Sequence, residues 1–390
     1  MQHNRGMALE FSAAVRRIPT YPAAAGYAQT GPVTLLASNE SPYPPLAEVV
    51  AAASAAIAGA NRYPDPTGAR LRAALADRYG VAPERIALGN GSCDILLAAG
   101  EALLEPGAEL IHAWPSFSVY PQLEAASGAR AIRVPLDGED RHDLDAMAAE
   151  ISVATRLVIV CNPNNPTSTA LGLAALRAFV ERVPPQVCVL IDEAYCEFSL
   201  LDDPDASIAL LDDHPNLVLL RTFSKIYGLC GLRVGYALCG SRELPDAVNQ
   251  VRQPFFCNAA AQAAAVEALR HQDEVARRVE RAAIARVQME DGLRALGLAP
   301  AASHANFCWF SLGEDRDDEE VVHALAQAGI FVRAGTSLGR RGALRVTYGT
   351  PAEIDRFLRA LAPQIAPAPD RAPPSRPRTP AGSALRTPAT

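Results

Sequence analysis

The chain has 390 residues, 49% of them hydrophobic and 20% charged, and its 36 basic against 43 acidic side chains leave a formal net charge of −7. That length and composition predict an ordinary soluble globular protein with one large domain and a smaller one. The charge provides no basic face for nucleic acid or anionic lipid, which leaves small metabolites as the expected partners.

The eight cysteines include no C-x-x-C pair, and several lie inside apolar runs, so they are expected to be reduced core residues. The N-terminus "MQHNRGMALEFSAAVRRIPT" lacks the continuous apolar core of a signal peptide, and no uninterrupted apolar span approaches ~20 residues. The expected location is the cytoplasm, with no membrane partner.

In chain order, the first strand-to-helix pattern is "RIALGNGS" followed by "CDILLAAGEALLEPG", an apolar run ending in a Gly-rich turn that opens a helix. The first amides of that helix would point at an anion, although Gly89 and Gly91 fit a tight turn with nothing bound equally well. Next come "RLVIVCNPNNP" with "LAALRAFVERV", then "VCVLIDEAY", then "NLVLLRTFSK". Short runs rich in Val, Ile and Leu that alternate with helical patterns argue for a parallel sheet covered by helices on both faces. Ligands of such sheets sit at the carboxyl ends of the strands. There the runs turn polar, at Asn165, at Asp192 with Tyr195, and at Ser224 with Lys225. Asp192 follows Asn165 by 27 residues and Lys225 follows Asp192 by 33. Both intervals are close to the ~30 residues of a crossover between parallel strands, so neighbouring strands are expected to deliver these groups to one pocket. After Ile365 the chain becomes Pro-, Ala- and Arg-rich without hydrophobic periodicity, and residues 366–390 are expected to form a disordered tail.

An acid, a lysine, a phenol and an amide among small residues form the inventory that a pyridoxal phosphate site needs. The lysine amine condenses with the aldehyde, and a carboxylate keeps the ring nitrogen protonated so that the ring absorbs carbanion charge. Asn165 and Tyr195 are suited to hydrogen-bond the phenolic oxygen. Burial of Lys225 near other cations favours its neutral, nucleophilic form. Ser224 and Arg233 suit the phosphate, together with the Gly-rich turn. Singly, each residue has a bland explanation: Asp192 as a cap or buried ion pair, Lys225 on the surface, Arg345 in a structural ion pair, the tyrosines in the core. Their order at crossover spacing reverses that reading.

The segments "NPNNPT", "DEAY" and "TFSKIYGLCGLRVGY" resemble the aspartate-aminotransferase-type fold of pyridoxal phosphate enzymes, and within it the histidinol-phosphate aminotransferases. The similarity runs over roughly residues 20 to 362, through "LASNESPYPP", "NRYPDPTG", "GNGSCD", "VRQPFFCN", "SHANF", "GIFVRAG" and "LRVTYGT". It implies an α/β fold, with a large domain whose mostly parallel sheet lies between helices and a smaller α+β domain built from both chain ends. Expected boundaries are 1–45 for an N-terminal arm and part of the small domain, 46–267 for the large cofactor-binding domain, and 268–365 for the C-terminal small domain.

By the same resemblance, Lys225 is the lysine that bonds the cofactor, Asp192 the partner of its ring nitrogen, and Asn165 and Tyr195 the ligands of its phenolic oxygen. Ser92, Cys93, Ser224 and Arg233 match the phosphate cup. Tyr120 of "WPSFSVY" is similar to the region that stacks over the ring, with Phe117 a competitor for that place. Tyr63 matches a tyrosine that reaches the phosphate from the neighbouring subunit, which implies a homodimer with shared active sites. Tyr21 and Asn39 match substrate-side positions, and Arg333 and Arg345 match arginines that hold the substrate's anionic groups. No metal is implied. Cys93 stands where an acidic or small residue is usual, and Ser168 replaces the glycine that commonly ends "NNPTG". The expected reaction is transamination between L-histidinol phosphate and 2-oxoglutarate, giving glutamate. An aromatic amino acid donor, a lyase that decarboxylates a phosphorylated amino acid, and a non-enzymatic sensor that keeps the cofactor fold are the alternatives. The sensor reading lacks an appended helix-turn-helix domain.

Overall fold

The computed structural model describes residues 9–20, 26–27, 31–313 and 316–366. The expected tail beyond residue 366 and the candidate substrate residue Tyr21 lie outside the described residues. Among the described residues the strands in chain order are β1 (Thr34–Leu35), β2 (Ile86–Gly89), β3 (Glu109–Trp114), β4 (Arg130–Pro135), β5 (Thr155–Cys161), β6 (Cys188–Asp192), β7 (Leu217–Thr222), β8 (Gly235–Cys239), β9 (Phe307–Ser311), β10 (Ile330–Phe331), β11 (Arg333–Ala334) and β12 (Ala343–Thr347).

Seven strands form one sheet in the order β2-β8-β7-β6-β5-β3-β4. The neighbours from β4 through β3, β5 and β6 to β7 pair in parallel, and β8 lies antiparallel between β7 and β2. Side chains alternate between the faces of a strand. Val158 and Val160 of β5 therefore join one apolar core with Val189 and Ile191 of β6, while Leu157 and Ile159 join a second core with Leu190. Leu176 and Phe179 of the helix Leu173–Val180 cover the first face, and Ile95, Leu96 and Ala99 of the helix Ser92–Leu103 cover the second. Full burial of each such aliphatic side chain stabilises by about 1.5–3 kcal/mol, and with both faces covered the strands keep no polar side. The mostly parallel α/β sheet expected from the sequence is present.

A smaller α+β unit draws on both ends of the chain. β11, β12 and β9 form an antiparallel sheet, and β1 pairs in parallel with β10. Leu36, Phe310, Leu344 and Val346 share a third core with Met289 and Leu293 of the helix Gln272–Ala295 and with Ile354, Phe357 and Leu361 of the helix Pro351–Ile365. A capping box of Thr350 and Glu353 starts the latter helix.

Among the connections between the seven-stranded sheet and the β11-β12-β9 sheet is one made by two loops. The Arg340 guanidinium grips Asp140 in the loop after β4 with two hydrogen bonds, of 2.5 and 2.6 Å. Next to it, Gly339 lies flat against the Trp114 ring, where a Cβ would approach to 2.8 Å. Among the described residues no helix is long and apolar enough to cross a membrane.

Candidate active site

A cavity of about 370 Å³ opens where β5, β6 and β7 end and β11 and β12 face them. Of the residues singled out from the sequence, Asn39, Ser92, Cys93, Asn165, Asp192, Tyr195, Ser224, Lys225, Arg233, Arg333 and Arg345 line it. Crossover spacing explains the convergence of Asn165, Asp192 and Lys225, which follow or close three adjacent parallel strands.

One end is an anion cradle. Gly91, at φ 77°, precedes the helix Ser92–Leu103, and Ser92 and Cys93 begin its first turn. A Cβ on Gly91 would run into the Arg233 guanidinium, and one on Gly235 would collide with the Ser92 backbone nitrogen. Glycine at both places lets β8 and Arg233 close on the helix start. Arg233 donates from Nη1 to the Cys230 carbonyl at 3.0 Å and to the Ser224 hydroxyl at 3.5 Å. Backbone amides, a hydroxyl and a guanidinium so gathered suit a phosphate. Burial, and then the charge of Asp192, push the Cys93 thiol up to about 11, so it stays protonated.

The middle of the cavity holds the acid and the lysine. Asp192 is 4% exposed and burial pushes it up to about 6, against the pull of hydrogen bonds from the Tyr120 hydroxyl, 3.0 Å from Oδ2, and the Ala194 amide, 3.3 Å from Oδ1. Lys225 Nζ donates to the Ser38 carbonyl at 3.2 Å. Burial first and the Arg345 charge second lower the Lys225 ammonium to about 8, which leaves an appreciable neutral fraction near pH 7.

Two polar groups beside the lysine are aimed by their neighbours. The Asn165 Oδ1 accepts from Arg345 Nη1 at 2.5 Å, which leaves its Nδ2 to donate elsewhere. The Tyr195 hydroxyl accepts from Asn39 Nδ2 at 3.0 Å, which leaves its own hydrogen to donate. The Asn39 amide is itself fixed, because its Oδ1 accepts from the Thr347 hydroxyl at 3.1 Å. Arg345 also donates from Nη2 to the Ala37 carbonyl at 2.6 Å. Arg333 and Arg345 are Cα partners in the β11–β12 ladder, so both side chains project from the same face.

One sequence expectation meets a different placement. Tyr120, expected over a cofactor ring, is fully buried behind the cavity wall with its hydroxyl on Asp192, and of the two rings considered for that place it is Phe117 that lines the cavity. Tyr63 is 79% exposed and stacked on Phe255 at 4.2 Å, away from the cavity of its own chain. Ser168 adopts the conformation of the glycine it replaces, at φ 61°, with its amide on the Asn164 carbonyl at 2.8 Å and its hydroxyl on the Thr167 carbonyl at 2.6 Å.

Ser38, Glu40, Thr222, Cys230 and Leu338 also line the cavity and were not singled out from the sequence. Ser38 acts through a carbonyl, which leaves no mark in residue type. Glu40 and Thr222 adjoin residues that were singled out, and proximity to them was the one available signal. Among the described residues no group of three or more His, Cys, Asp or Glu side chains is placed to hold a metal ion.

The donor set fits pyridoxal phosphate on three counts: an anion cradle, a buried carboxylate, and two donors with free hydrogens beside a lysine of lowered proton affinity. A sequence model described as "Aminotransferase class I and II" matches residues 31–361. The chain is 43% identical over 343 residues to an aromatic amino acid aminotransferase of Streptomyces coelicolor, covering 88% of this chain and 94% of that one. It is 44% identical over 330 residues to histidinol-phosphate aminotransferase 1 of Cupriavidus pinatubonensis, covering 84% and 87%. Among solved structures, the histidinol-phosphate aminotransferase of Sinorhizobium meliloti in complex with pyridoxal-5'-phosphate superposes with a TM-score of 0.80 at 28% identity, covering 92% of this chain and 98% of that one.

Proposed function

The chain belongs to the class I and II aminotransferases and uses pyridoxal 5'-phosphate, and from that premise we propose that it moves an amino group between L-histidinol phosphate and 2-oxoglutarate in cytoplasmic histidine biosynthesis. The observation that carries the choice of donor is the pair Arg333 and Arg345, side by side on one face and both in the cavity, in addition to the separate cradle around Arg233. Two guanidinium groups beyond the cofactor's own anion site suit a donor that brings a phosphate dianion.

Ser92, Cys93, Ser224 and Arg233 would hold the cofactor's phosphate, Asn165 Nδ2 and the Tyr195 hydroxyl its phenolic oxygen, and Asp192 the proton on its ring nitrogen. Pyridoxal 5'-phosphate supplies an aldehyde that bonds amines and a ring that takes up the charge left when an α-proton departs. Phe117 lies against one side of the cavity, where an aromatic ring can stack. Lys225 would bond the cofactor, and its free Nζ would take the proton from the donor's α-carbon; the lowered proton affinity makes the amine available for both tasks. Arg345 pairs with glutamate's α-carboxylate in one half-reaction and with the phosphate of histidinol phosphate in the other, and Arg333 adds the second charge that the phosphate needs.

Tyr63, turned away from its own cavity, is assigned to the phosphate site of a second copy in a homodimer. Mixed Lys225→Ala and Tyr63→Phe protomers should then regain activity, because one site of each heterodimer carries neither lesion. Mixtures no better than the Tyr63→Phe parent, with subunit exchange verified, would refute that assignment.

An aromatic amino acid is the second reading of the donor, supported by the identity to the Streptomyces coelicolor enzyme and by Phe117 and Leu338 on the cavity wall. The deciding measurement is kcat/KM for histidinol phosphate and for phenylalanine with 2-oxoglutarate as acceptor. Histidinol phosphate should be the better donor, and Arg333→Ala should harm it more than phenylalanine. A wild-type preference for phenylalanine would overturn the proposal in favour of the second reading.

A further inference from the structure

Tyr120 opens the helix Tyr120–Ser127 and has no exposed surface, yet its hydroxyl reaches the carboxylate at the end of β6. A buried phenol of this kind needs a partner, and the partner it has is the one acid of the cavity that the family reading sets against the cofactor's ring nitrogen. With Oδ2 on Tyr120 and Oδ1 on the Ala194 amide, both oxygens of Asp192 are held, so the plane of the carboxylate is set before any ligand arrives. On its other side the Tyr120 ring meets Phe117 edge to face, with centroids 5.7 Å apart at 89°, and His112 at 5.6 Å and 60°. Tyr120 thus touches both a carboxylate and an aromatic ring that border the cavity, without bordering it.

The groups facing Asp192 are Glu193 beside it, Lys225 beyond β7, Cys93 on the helix Ser92–Leu103, Cys161 at the end of β5, and Tyr195. Of the influences that oppose the effect of burial on Asp192, the hydrogen bond from Tyr120 is the largest, ahead of the Ala194 amide and the Lys225 charge. Burial raises the Tyr120 phenol well above its ordinary value, so it stays a donor.

We propose that Tyr120 is a positioning residue for Asp192: its hydroxyl aims the carboxylate and keeps it ionised for the cofactor's pyridinium, while its ring edge backs Phe117. The proposal rests on the assignment of Asp192 to the ring nitrogen.

The test uses the cofactor-free full chain and pyridoxamine 5'-phosphate, which shares the ring and phosphate of the cofactor but has no aldehyde for Lys225. Affinity is measured against pH by fluorescence for wild type, Tyr120→Phe and Asp192→Asn; the ligand's own ionisations are common to all three. Tyr120→Phe should bind roughly tenfold more weakly near neutrality, as expected for one lost hydrogen bond to a charged group. Its acid-side loss of affinity should also begin at higher pH than in wild type, because the carboxylate has lost a donor that favours the charged form. Asp192→Asn should bind more weakly still and lack that acid limb. If Asp192→Asn binds like wild type, the assignment of Asp192 fails and the proposal with it. If Asp192→Asn is weakened but Tyr120→Phe matches wild type in affinity and in pH dependence, the role of Tyr120 alone is overturned. A lowered melting temperature of Tyr120→Phe without either binding change would give it a packing role only, and likewise overturn the proposal.

Discussion

Ser168 shows how a single residue can occupy a place that geometry reserves for another. At φ 61° an L-residue is disfavoured by about 1–2 kcal/mol relative to glycine, and glycine in turn carries a backbone-entropy cost of roughly 0.5–1 kcal/mol. The serine hydroxyl recovers about 1 kcal/mol by bonding the Thr167 carbonyl. These terms nearly cancel, so Ser168→Gly should melt close to the parent. Ser168→Ala keeps the unfavourable backbone and loses the bond, and should be less stable than the parent by about 1 kcal/mol in denaturant titrations. An alanine variant as stable as the serine parent would mean that the hydroxyl bond contributes nothing. The sequence marked position 168 as a departure, but the hydroxyl bond that accommodates it depends on a carbonyl direction that residue type does not encode.

At the scale of elements, Asn165, Asp192 and Lys225 were legible because parallel strands with crossovers must end side by side, and spacing alone carries that information. Phe117 and Tyr120 were not separable in the same way. They lie three residues apart in a turn and the start of a helix, and which ring faces the cavity is decided by the packing of that helix against the helix Ser92–Leu103 and β4. The bond between Arg340 and Asp140 was invisible for a different reason: the partners are 200 positions apart, in loops that belong to different sheets. It is bidentate, its side chains are 37% and 26% exposed, and it sits one residue from Gly339 on Trp114 and two from Leu338 on the cavity wall. A paired fork in this setting contributes about 1–2 kcal/mol. Arg340→Ala should therefore lower stability by that amount and raise KM for the amino donor, through a looser Leu338 wall. In a double-mutant cycle with Asp140→Asn, the two losses should not add. Additive losses would show that the pair does not act as a unit.

Taken as a whole, the molecule buries titratable groups whose charging opposes folding in both directions of pH. Burial holds His112 and His142 down to about 4, against 6.5 for a free imidazole, so each remains neutral in the fold. Their contribution is complete above pH 6.5 and is lost as pH falls toward 4, where the unfolded chain binds protons that the native one refuses. Asp192 and Glu197, raised by burial to about 6 and about 7, act with the opposite sign over much of that window. The overall profile is therefore a balance, and a difference between proteins isolates one group. His142→Gln should be destabilised at pH 7 through the lost fit around Asn164. Its deficit relative to wild type should shrink by an amount on the order of 3 kcal/mol as pH is lowered to 4. A deficit that stays constant across that range would show that His142 titrates normally inside the protein.

The cavity walls come from places very distant along the chain, and Asn39 on one wall is bonded across 308 positions to Thr347 of β12, the strand that also carries Arg345 on the wall. Closing so long a loop yields no contact energy until its ends meet, and contacts of high sequence separation form slowly. The helices and the β5–β6–β7 ladder can form from contacts within the middle of the chain, whereas the wall built on Ala37 to Glu40 has to wait for β12. The ability to capture cofactor should then be the last property to return on refolding, lagging the recovery of far-UV circular dichroism, and a newly synthesised chain should be unable to hold its cofactor until β12 is in place. Simultaneous recovery of the two signals in stopped-flow refolding would refute that order of events.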